Sequence, residues 1–143
     1  MIELVEDRLD IDTYLELRQS VQFRELTRDQ AKKGLSNSLY TLVAFKDGKA
    51  VGMGRIVGDG AIICYVQDLI IRPEVQGEGI GGLILETLKK FVIQEGYEGT
   101  TMMFDLMCAK GREEFYKKHG FIARPTKDLG PGMIQFIQIG EEG

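Results

Sequence analysis

Apolar residues recur at helical spacing between Ile80 and Val92, with charged and polar residues at the positions between them. Spacings of three and four residues place side chains on one side of an α-helix. The positions on this side are Ile80, Leu83, Ile84, Thr87, Leu88, Phe91 and Val92. The pattern predicts an amphipathic helix that buries one face and ends near Gly96, where a left-handed cap is expected.

Four stretches rich in β-branched and aromatic residues predict strands, at residues 39–46, 50–57, 61–71 and 100–107. Asp47-Gly48 separates the first two and favours a tight hairpin, because both residues tolerate positive φ. The first three strands would then form an antiparallel meander. Since the long helix connects the third strand to the fourth, these two are expected to be parallel, which makes the sheet mixed.

Shorter elements are predicted before this meander. A strand is expected over residues 2–5, followed by a helix over residues 13–21 with Asp10 or Asp12 as its N-cap. Thr27 and Gln30 have the spacing of a capping box, which predicts a second short helix as far as residue 34.

The C-terminal part of the chain has weaker patterns. A helix is predicted over residues 111–119, with Gly120 as its cap. Strands are expected from Phe121 onward and over residues 133–139, and residues 140–143 are expected to form a frayed tail.

The composition is that of a soluble globular protein, and 143 residues suit one domain. A net charge of −4 provides no overall positive field, which argues against nucleic acid and an anionic membrane as partners. No apolar run approaches the roughly 18 residues of a membrane span. The first residues lack a signal-peptide pattern, so a cytoplasmic location is predicted. The sequence leaves a homodimer open.

Candidates for metal or nucleophilic chemistry are few. Cys64 and Cys108 are isolated in apolar surroundings, and His119 is the single histidine. These residues are too few for a structural zinc site and do not suggest a conventional Ser-His-Asp triad. No metal is therefore expected. Both cysteines are predicted to be small core residues, and His119 to cap its helix.

Glycines cluster directly before the long helix, at positions 77, 79, 81 and 82. A bare backbone at a helix N-terminus presents unpaired N–H groups and the positive end of the helix dipole. This arrangement favours a phosphate site over a mere tight turn. The chain contains no Gly-Lys-Ser or Gly-Lys-Thr, which excludes a P-loop.

Gly77, Gly79 and Gly82 also match the dinucleotide fingerprint G-x-G-x-x-G, with Asp105 as the candidate ribose ligand. Five residues separate the preceding strand from the first glycine, and Asp105 lies within an apolar run instead of after it. The residues after Gly82 are too few for the rest of a doubly wound sheet. We therefore predict that Asp105 does not bind an adenine ribose.

A third match is closer. Gln76-x-x-Gly79-x-Gly81 resembles the acyl-CoA signature [QR]-x-x-G-x-[GA] of the GNAT superfamily of N-acyltransferases. Downstream, Tyr116-x-x-x-Gly120-Phe121 is similar to a second segment of that family at about the expected distance. The motif-bearing part covers roughly residues 61–122.

The resemblance implies an α/β (α+β) fold, a single GNAT-like domain with a mixed, mostly antiparallel sheet, a parallel β-α-β crossover and flanking helices. It also implies acetyl-CoA as co-substrate. Residues expected to bind it are Leu69, Ile70, Ile71, Gln76, Gly77, Glu78, Gly79, Ile80, Gly81, Gly82 and Lys110. Tyr116 matches the catalytic residue that stabilises the departing thiolate, and an N–H near Leu69 or Ile70 would stabilise the carbonyl oxygen.

The alternation of side chains along a strand predicts which residues face the acceptor. It predicts that Tyr65, Gln67 and Leu69 share one face of their strand, while Asp68 points to the other as a hydrogen-bonded structural carboxylate. Tyr65 and Gln67 are therefore candidate substrate residues, together with Phe23 from the wall that the family resemblance implies. The general base is undetermined.

Two positions depart from the family's pattern. Ala109 stands where the family often has asparagine, and Glu78 replaces a basic or neutral loop residue. The expected activity is transfer of an acetyl group from acetyl-CoA to a primary amine of a small molecule or peptide. The alternative is a non-catalytic acyl-CoA-binding sensor or partner module.

Overall fold

The computed structural model describes residues 1–140 of the chain, which contain both strands and helices. The strands are β1 (Ile2–Glu6), β2 (Tyr40–Lys46), β3 (Lys49–Gly58), β4 (Ile63–Ile71) and β5 (Met103–Leu106). The helices are α1 (Ile11–Ser20), α2 (Arg28–Ser36), α3 (Ile80–Glu95) and α4 (Glu113–Lys118), with a 3-10 turn at Pro73–Val75.

Contacts divide the chain into two units, Met1–Leu106 and Met107–Gly143. The first unit contains the five strands named above and α1 to α3, and the second contains α4. That the 143 residues form one acetyltransferase domain stays a prediction.

The strands of the first unit form a single mixed sheet in the order β1-β2-β3-β4-β5. Neighbouring strands from β1 to β4 are antiparallel, and β4 pairs with β5 in parallel. The parallel pair follows from the crossover through α3, because a helical connection returns the chain in the same direction. The predicted fold class is confirmed.

The two faces of this sheet are covered by different helices. One face packs on α3 through Ile80, Ile84, Leu88 and Val92, and carries most of the apolar core. The opposite face packs on α1 and α2 in a second cluster, whose buried members are Tyr14, Leu17, Ala31, Met53 and Ile70. We call these the α3 face and the α1/α2 face.

Glycines in β3 allow α3 to approach the sheet closely. A Cβ atom at Gly54 would lie 2.8 Å from Cγ2 of Ile84 and 3.0 Å from Cδ1 of Leu88. Gly52 is similarly crowded, at 2.9 Å from Cδ1 of Ile71. The absence of side chains at these positions is therefore a packing requirement of the α3 face.

Several local predictions are confirmed. Asp10 caps α1, because its carboxylate accepts a hydrogen bond from the backbone of Thr13 at 2.7 Å. Thr27 and Gln30 form the expected capping box, and Asp47 and Gly48 both have positive φ in the hairpin between β2 and β3. Cys64 is buried in the core, as predicted.

Other local predictions are wrong. Gly96 ends α3 with φ −68° and ψ 153°, an extended conformation, so it is not a left-handed cap. Cys108 is exposed and not a core residue. Strand pairing is also absent in residues 121–122 and 133–139, because a β-rich sequence forms a strand only where a neighbour satisfies its backbone. Of the predicted tail, residues 141–143 lie outside the described residues.

Candidate active site

The loop between the 3-10 turn and α3 exposes backbone groups. Gly77 and Gly79 have φ of +87° and +86°, and a Cβ atom built on either meets no atom within 4 Å. Gly79 is the N-cap of α3 and contributes no side-chain cap, so the first N–H groups of the helix, at Ile80, Gly81 and Gly82, have no intrahelical acceptor. These donors and the helix dipole suit an anion.

Gln76 fastens this loop to the end of β4. Its side-chain amide donates a hydrogen bond to the backbone oxygen of Ile71 at 3.0 Å. This hydrogen bond stabilises the turn that precedes the glycines, so Gln76 positions the loop.

Glu78 places a negative charge in the same loop. Lys46 of β2 donates to its carboxylate at 2.8 Å. Because the ammonium group partly compensates the carboxylate, the acidic residue is compatible with an anion-binding loop.

The pairing between β4 and β5 ends before β4 does. The last pair is Val66 with Leu106, so the final residues of β4 have no paired strand on this side among residues 1–140. Arg72 donates its backbone N–H to Val51 of β3 at 2.8 Å. By alternation the amide of Ile70 also points toward β3, and those of Leu69 and Ile71 point to the open edge.

A bulge in β4 reverses one sequence-based expectation. Arg55 pairs with Asp68 and the next residue of β3 pairs with Val66, so Gln67 is the extra residue. Leu69 packs on the α3 face with Val66, while Tyr65 lies on the other face. The prediction that Tyr65 and Leu69 share a face is wrong, because the bulge shifts the alternation by one residue.

Asp68 lies on the α1/α2 face, where three side chains hold it. Tyr14 donates its hydroxyl to Oδ2 at 2.7 Å, Arg55 donates Nε to Oδ2 at 2.9 Å, and Arg18 donates Nη1 to Oδ1 at 3.2 Å. The predicted structural role of Asp68 is confirmed. Burial raises the pKa of Tyr14, as does the Asp68 carboxylate, so Tyr14 remains a neutral donor.

Phe23, a predicted substrate residue, lies beside this network. Its ring centroid is 5.4 Å from the guanidinium carbon of Arg18. The backbone oxygen of Arg24 accepts from Nη2 of the same arginine at 2.8 Å, which fixes the link between α1 and α2.

Asp105 is the other carboxylate on this side of the sheet. It pairs in register with Tyr65, and both residues lie opposite the α3 face, on which Phe104 and Leu106 pack. Its Oδ1 is buried without a hydrogen-bond partner among residues 1–140, and burial raises the pKa of the carboxyl. A carboxyl with these properties is a candidate proton acceptor.

In the second unit, the end of α4 positions Tyr116. Phe121 donates its backbone N–H to Tyr116 at 3.2 Å, Gly120 donates to Lys117 at 3.1 Å, and Gly120 has φ +91°. These are the bonds of a Schellman motif, whose hydrophobic contact is the edge-to-face pair of Tyr116 and Phe121 at 5.7 Å. The predicted cap at Gly120 is confirmed.

Tyr116 is half-buried, and burial raises its pKa, with the neighbouring Cys108 acting in the same direction. The tyrosine is therefore a hydroxyl donor over the ordinary pH range. Lys110, a predicted cofactor residue, is exposed in the same unit.

Within residues 1–140, no group of three or more His, Cys, Asp or Glu side chains is arranged to hold a metal ion. None of the helices in this part of the chain combines the length and the apolar character needed to cross a membrane.

The chain matches the model of the "Acetyltransferase (GNAT) domain" family over residues 37–123, which is more than half of its length. The match includes the glycine loop, the open edge of β4 and the Tyr116 segment. The chain therefore belongs to the GNAT acetyltransferase family.

Known relatives agree with this assignment. "GCN5-related N-acetyltransferase 2, chloroplastic" of Arabidopsis thaliana is 29% identical over 80 residues, covering 56% of this chain and 30% of that protein. "Uncharacterized N-acetyltransferase ycf52" of Pyropia yezoensis is 31% identical over 100 residues, covering 67% of this chain and 55% of its own length. The chain thus spans about half or less of the length of these two relatives.

A solved structure covers the whole fold. A probable acetyltransferase of unknown function from meticillin-resistant Staphylococcus aureus superposes with a TM-score of 0.83 at 28% identity, over 96% of this chain and 100% of that one. This similarity agrees with the assignment of the chain to the GNAT acetyltransferase family.

Three residues of the site were not identified from the sequence as parts of it. Arg18 reaches Asp68 only through the packing of α1 on the sheet, and Arg55 reaches it through the pairing of β3 with β4. Asp105 was considered only as a ribose ligand. The buried carboxylate at Asp68 was the one available signal, because such a group needs cationic partners.

Proposed function

We propose that the protein transfers an acetyl group from acetyl-CoA to a primary amine of a small molecule. The observation that carries the proposal is the glycine loop at the N-terminus of α3, placed directly after the open edge of β4. Together these supply N–H groups for a diphosphate and unpaired strand backbone for an extended pantetheine arm. Lys110 is proposed to assist at the diphosphate.

The proposed chemistry is direct attack of a neutral amine on the thioester carbonyl. The N–H of Leu69 faces the open edge and would stabilise the negative charge that develops on the carbonyl oxygen. Asp105 would accept a proton from the amine, directly or through water near Tyr65 and Gln67, since a raised pKa makes it a stronger base. Tyr116 would donate a hydrogen bond to the departing sulfur.

A cytoplasmic setting forms part of the proposal. It is supported by Cys64 and Cys108, which are free thiols and form no disulfide with each other.

The test measures acetyl-CoA binding by calorimetry and thiol release with a panel of amines. Gly79→Ala places a methyl group in the open space at the start of α3, and we expect affinity to fall about 10- to 100-fold, the value of one or two lost bonds to a charged group. Gly99→Ala is the matched control, because Gly99 has φ +81° and equally open space beyond the other end of α3.

Amine-dependent thiol release supports catalysis. Tight binding of acetyl-CoA without thiol release for any amine would favour the non-catalytic sensor instead. Absence of binding, or equal affinity of the Gly79→Ala and Gly99→Ala variants, would contradict the proposed cofactor site.

Tyr116→Phe tests the leaving-group role. The substitution keeps the ring contact with Phe121 and removes only the hydroxyl, so the melting temperature should change little. A positioned acid contributes about 10²- to 10⁴-fold, and we expect the lower end on kcat with unchanged acetyl-CoA affinity. Turnover at the wild-type rate would show that Tyr116 only packs.

A further inference from the structure

The network around Asp68 contains more positive than negative charge. Two guanidinium groups, those of Arg18 and Arg55, contact one carboxylate, and all three side chains are nearly buried, with exposed fractions of 12%, 9% and 1% respectively. Tyr14 is neutral, so it does not compensate the excess. The nearby carboxylate of Glu16 on α1 is paired with Arg72.

The two arginines differ in how their donors are used. Arg55 also donates Nη1 to the backbone oxygen of Gly34 at 3.0 Å and to Oγ of Ser38 at 3.1 Å. These acceptors lie at the C-terminal end of α2, where the helix dipole is negative and favours a cation. The charges of Arg55 and Asp68 therefore balance each other without a second guanidinium group.

Arg18 is less completely paired. Its Nε is buried and has no hydrogen-bond acceptor among residues 1–140. Burying a charged group with a free donor is unfavourable unless a partner is supplied. Phe23, the ring beside Arg18, is 41% exposed, so the arginine lies where the buried network meets solvent.

We infer that Arg18 and Phe23 form a subsite for an anionic group, a carboxylate or a phosphate, on the amine that accepts the acetyl group. The inference rests on the proposed function and adds the chemical class of the acceptor. A guanidinium group binds either anion through paired N–H donors, and Phe23 would cover the acceptor's carbon chain. The negative group would balance the excess charge of the network.

The test compares acceptors that differ only in this charge. The ω-amino acids from glycine to 6-aminohexanoate are assayed against their carboxamides at saturating acetyl-CoA, with phosphoethanolamine as the phosphate arm. We expect at least one carboxylate or phosphate acceptor to have a kcat/KM about 10- to 100-fold above its uncharged counterpart, the range for hydrogen bonds to charged groups. Whichever of the carboxylate and phosphate acceptors has the higher kcat/KM identifies the preferred anion.

Arg18→Gln should remove this preference: the ratio of kcat/KM for each anionic acceptor to kcat/KM for its carboxamide should fall to about one, a comparison made within the same variant. Arg18→Lys retains charge without the paired donors and should recover part of the preference. Arg28→Gln is the control, because Arg28 pairs with Asp12 on the exposed surface of the same helices.

The outcomes separate the subsite from the proposed function. Equal kcat/KM for charged and uncharged acceptors in the wild type, or an Arg18→Gln variant that is folded and keeps the preference, overturns the subsite while catalysis stands. If no amine releases thiol, the proposed function fails. Calorimetric titration of the same compounds then decides the subsite: binding of anionic acceptors that Arg18→Gln abolishes supports it, and no binding overturns it.

Discussion

The two faces of β4 are built by different chemistry. Toward α3, its side chains Cys64, Val66 and Ile71 are buried apolar groups in the main core. Toward α1 and α2, the same strand presents the apolar Ile70 together with the polar side chains of Tyr65 and Asp68. The proposed cofactor contacts come from the backbone at the end of this strand, and the proposed acceptor contacts come from side chains on its polar face or packed against that face.

This difference has a physical origin. A cofactor held by N–H groups and strand edges needs close backbone approach, which the glycines of the loop allow. An acceptor is distinguished by its charge and shape, which only side chains can match. We therefore expect substitutions on the polar face to be costly where they break charge pairing, and those on the α3 face to be costly where they alter volume.

The largest effect is expected at Asp68. Asp68→Ala leaves two buried guanidinium groups and a tyrosine hydroxyl without their shared acceptor, which should lower the free energy of unfolding by about 3–5 kcal/mol. Denaturant unfolding measures this change. Tyr14→Phe removes one donor and keeps the ring, and should cost only about 1 kcal/mol. Equal losses for the two variants would mean that packing, not charge pairing, stabilises this face.

A smaller loss is expected at Gly54 on the α3 face. Gly54→Ala places a methyl group against Ile84 and Leu88, and overpacking of this kind costs about 1–3 kcal/mol. The comparison is Gly34→Ala in α2, where a Cβ atom would lie 4.0 Å from the nearest atom, on Arg55. There the substitution should raise the free energy of unfolding by up to about 1 kcal/mol, because alanine has a higher helix propensity than glycine. Melting temperatures check the two predictions: the value should fall for Gly54→Ala and rise for Gly34→Ala.

The smallest effect concerns Asp105 and depends on pH. Because burial raises its pKa, the folded state binds the proton more tightly than the unfolded state does. The charged form therefore destabilises the fold above the folded pKa, and the penalty is relieved as pH falls below the unfolded value. Asp105→Asn should be more stable than wild type at pH 7, and the difference should decrease on acidification to pH 3.

The same variant tests catalysis. If Asp105 accepts the proton, Asp105→Asn should lower kcat/KM at pH 7 by about 10²-fold while leaving acetyl-CoA affinity unchanged. If the variant is more stable than wild type and fully active, Asp105 is a buried carboxyl without a catalytic role.

Elements with strong local signals could be predicted. The capping box at Thr27, the Asp47-Gly48 hairpin and the long amphipathic helix depend on neighbouring residues, and each appears where expected. The strand over residues 133–139 was predicted with equal reason and is not formed in the structure. Hairpins and caps satisfy their own backbone groups, whereas a strand needs a partner that its own sequence does not specify.

By itself the sequence determined the order of elements from β1 to α4, the crossover that makes the sheet mixed, and the glycine loop, since all three depend on periodicity and backbone freedom. Tertiary structure decided which residues face the proposed acceptor. The bulge at Gln67 separates Tyr65 from Leu69, and the packing of α1 brings Arg18 to Asp68 across 50 residues of sequence. A bulge is set by how two strands align, and a buried ion pair by how two layers meet, so neither is encoded in the spacing of one segment.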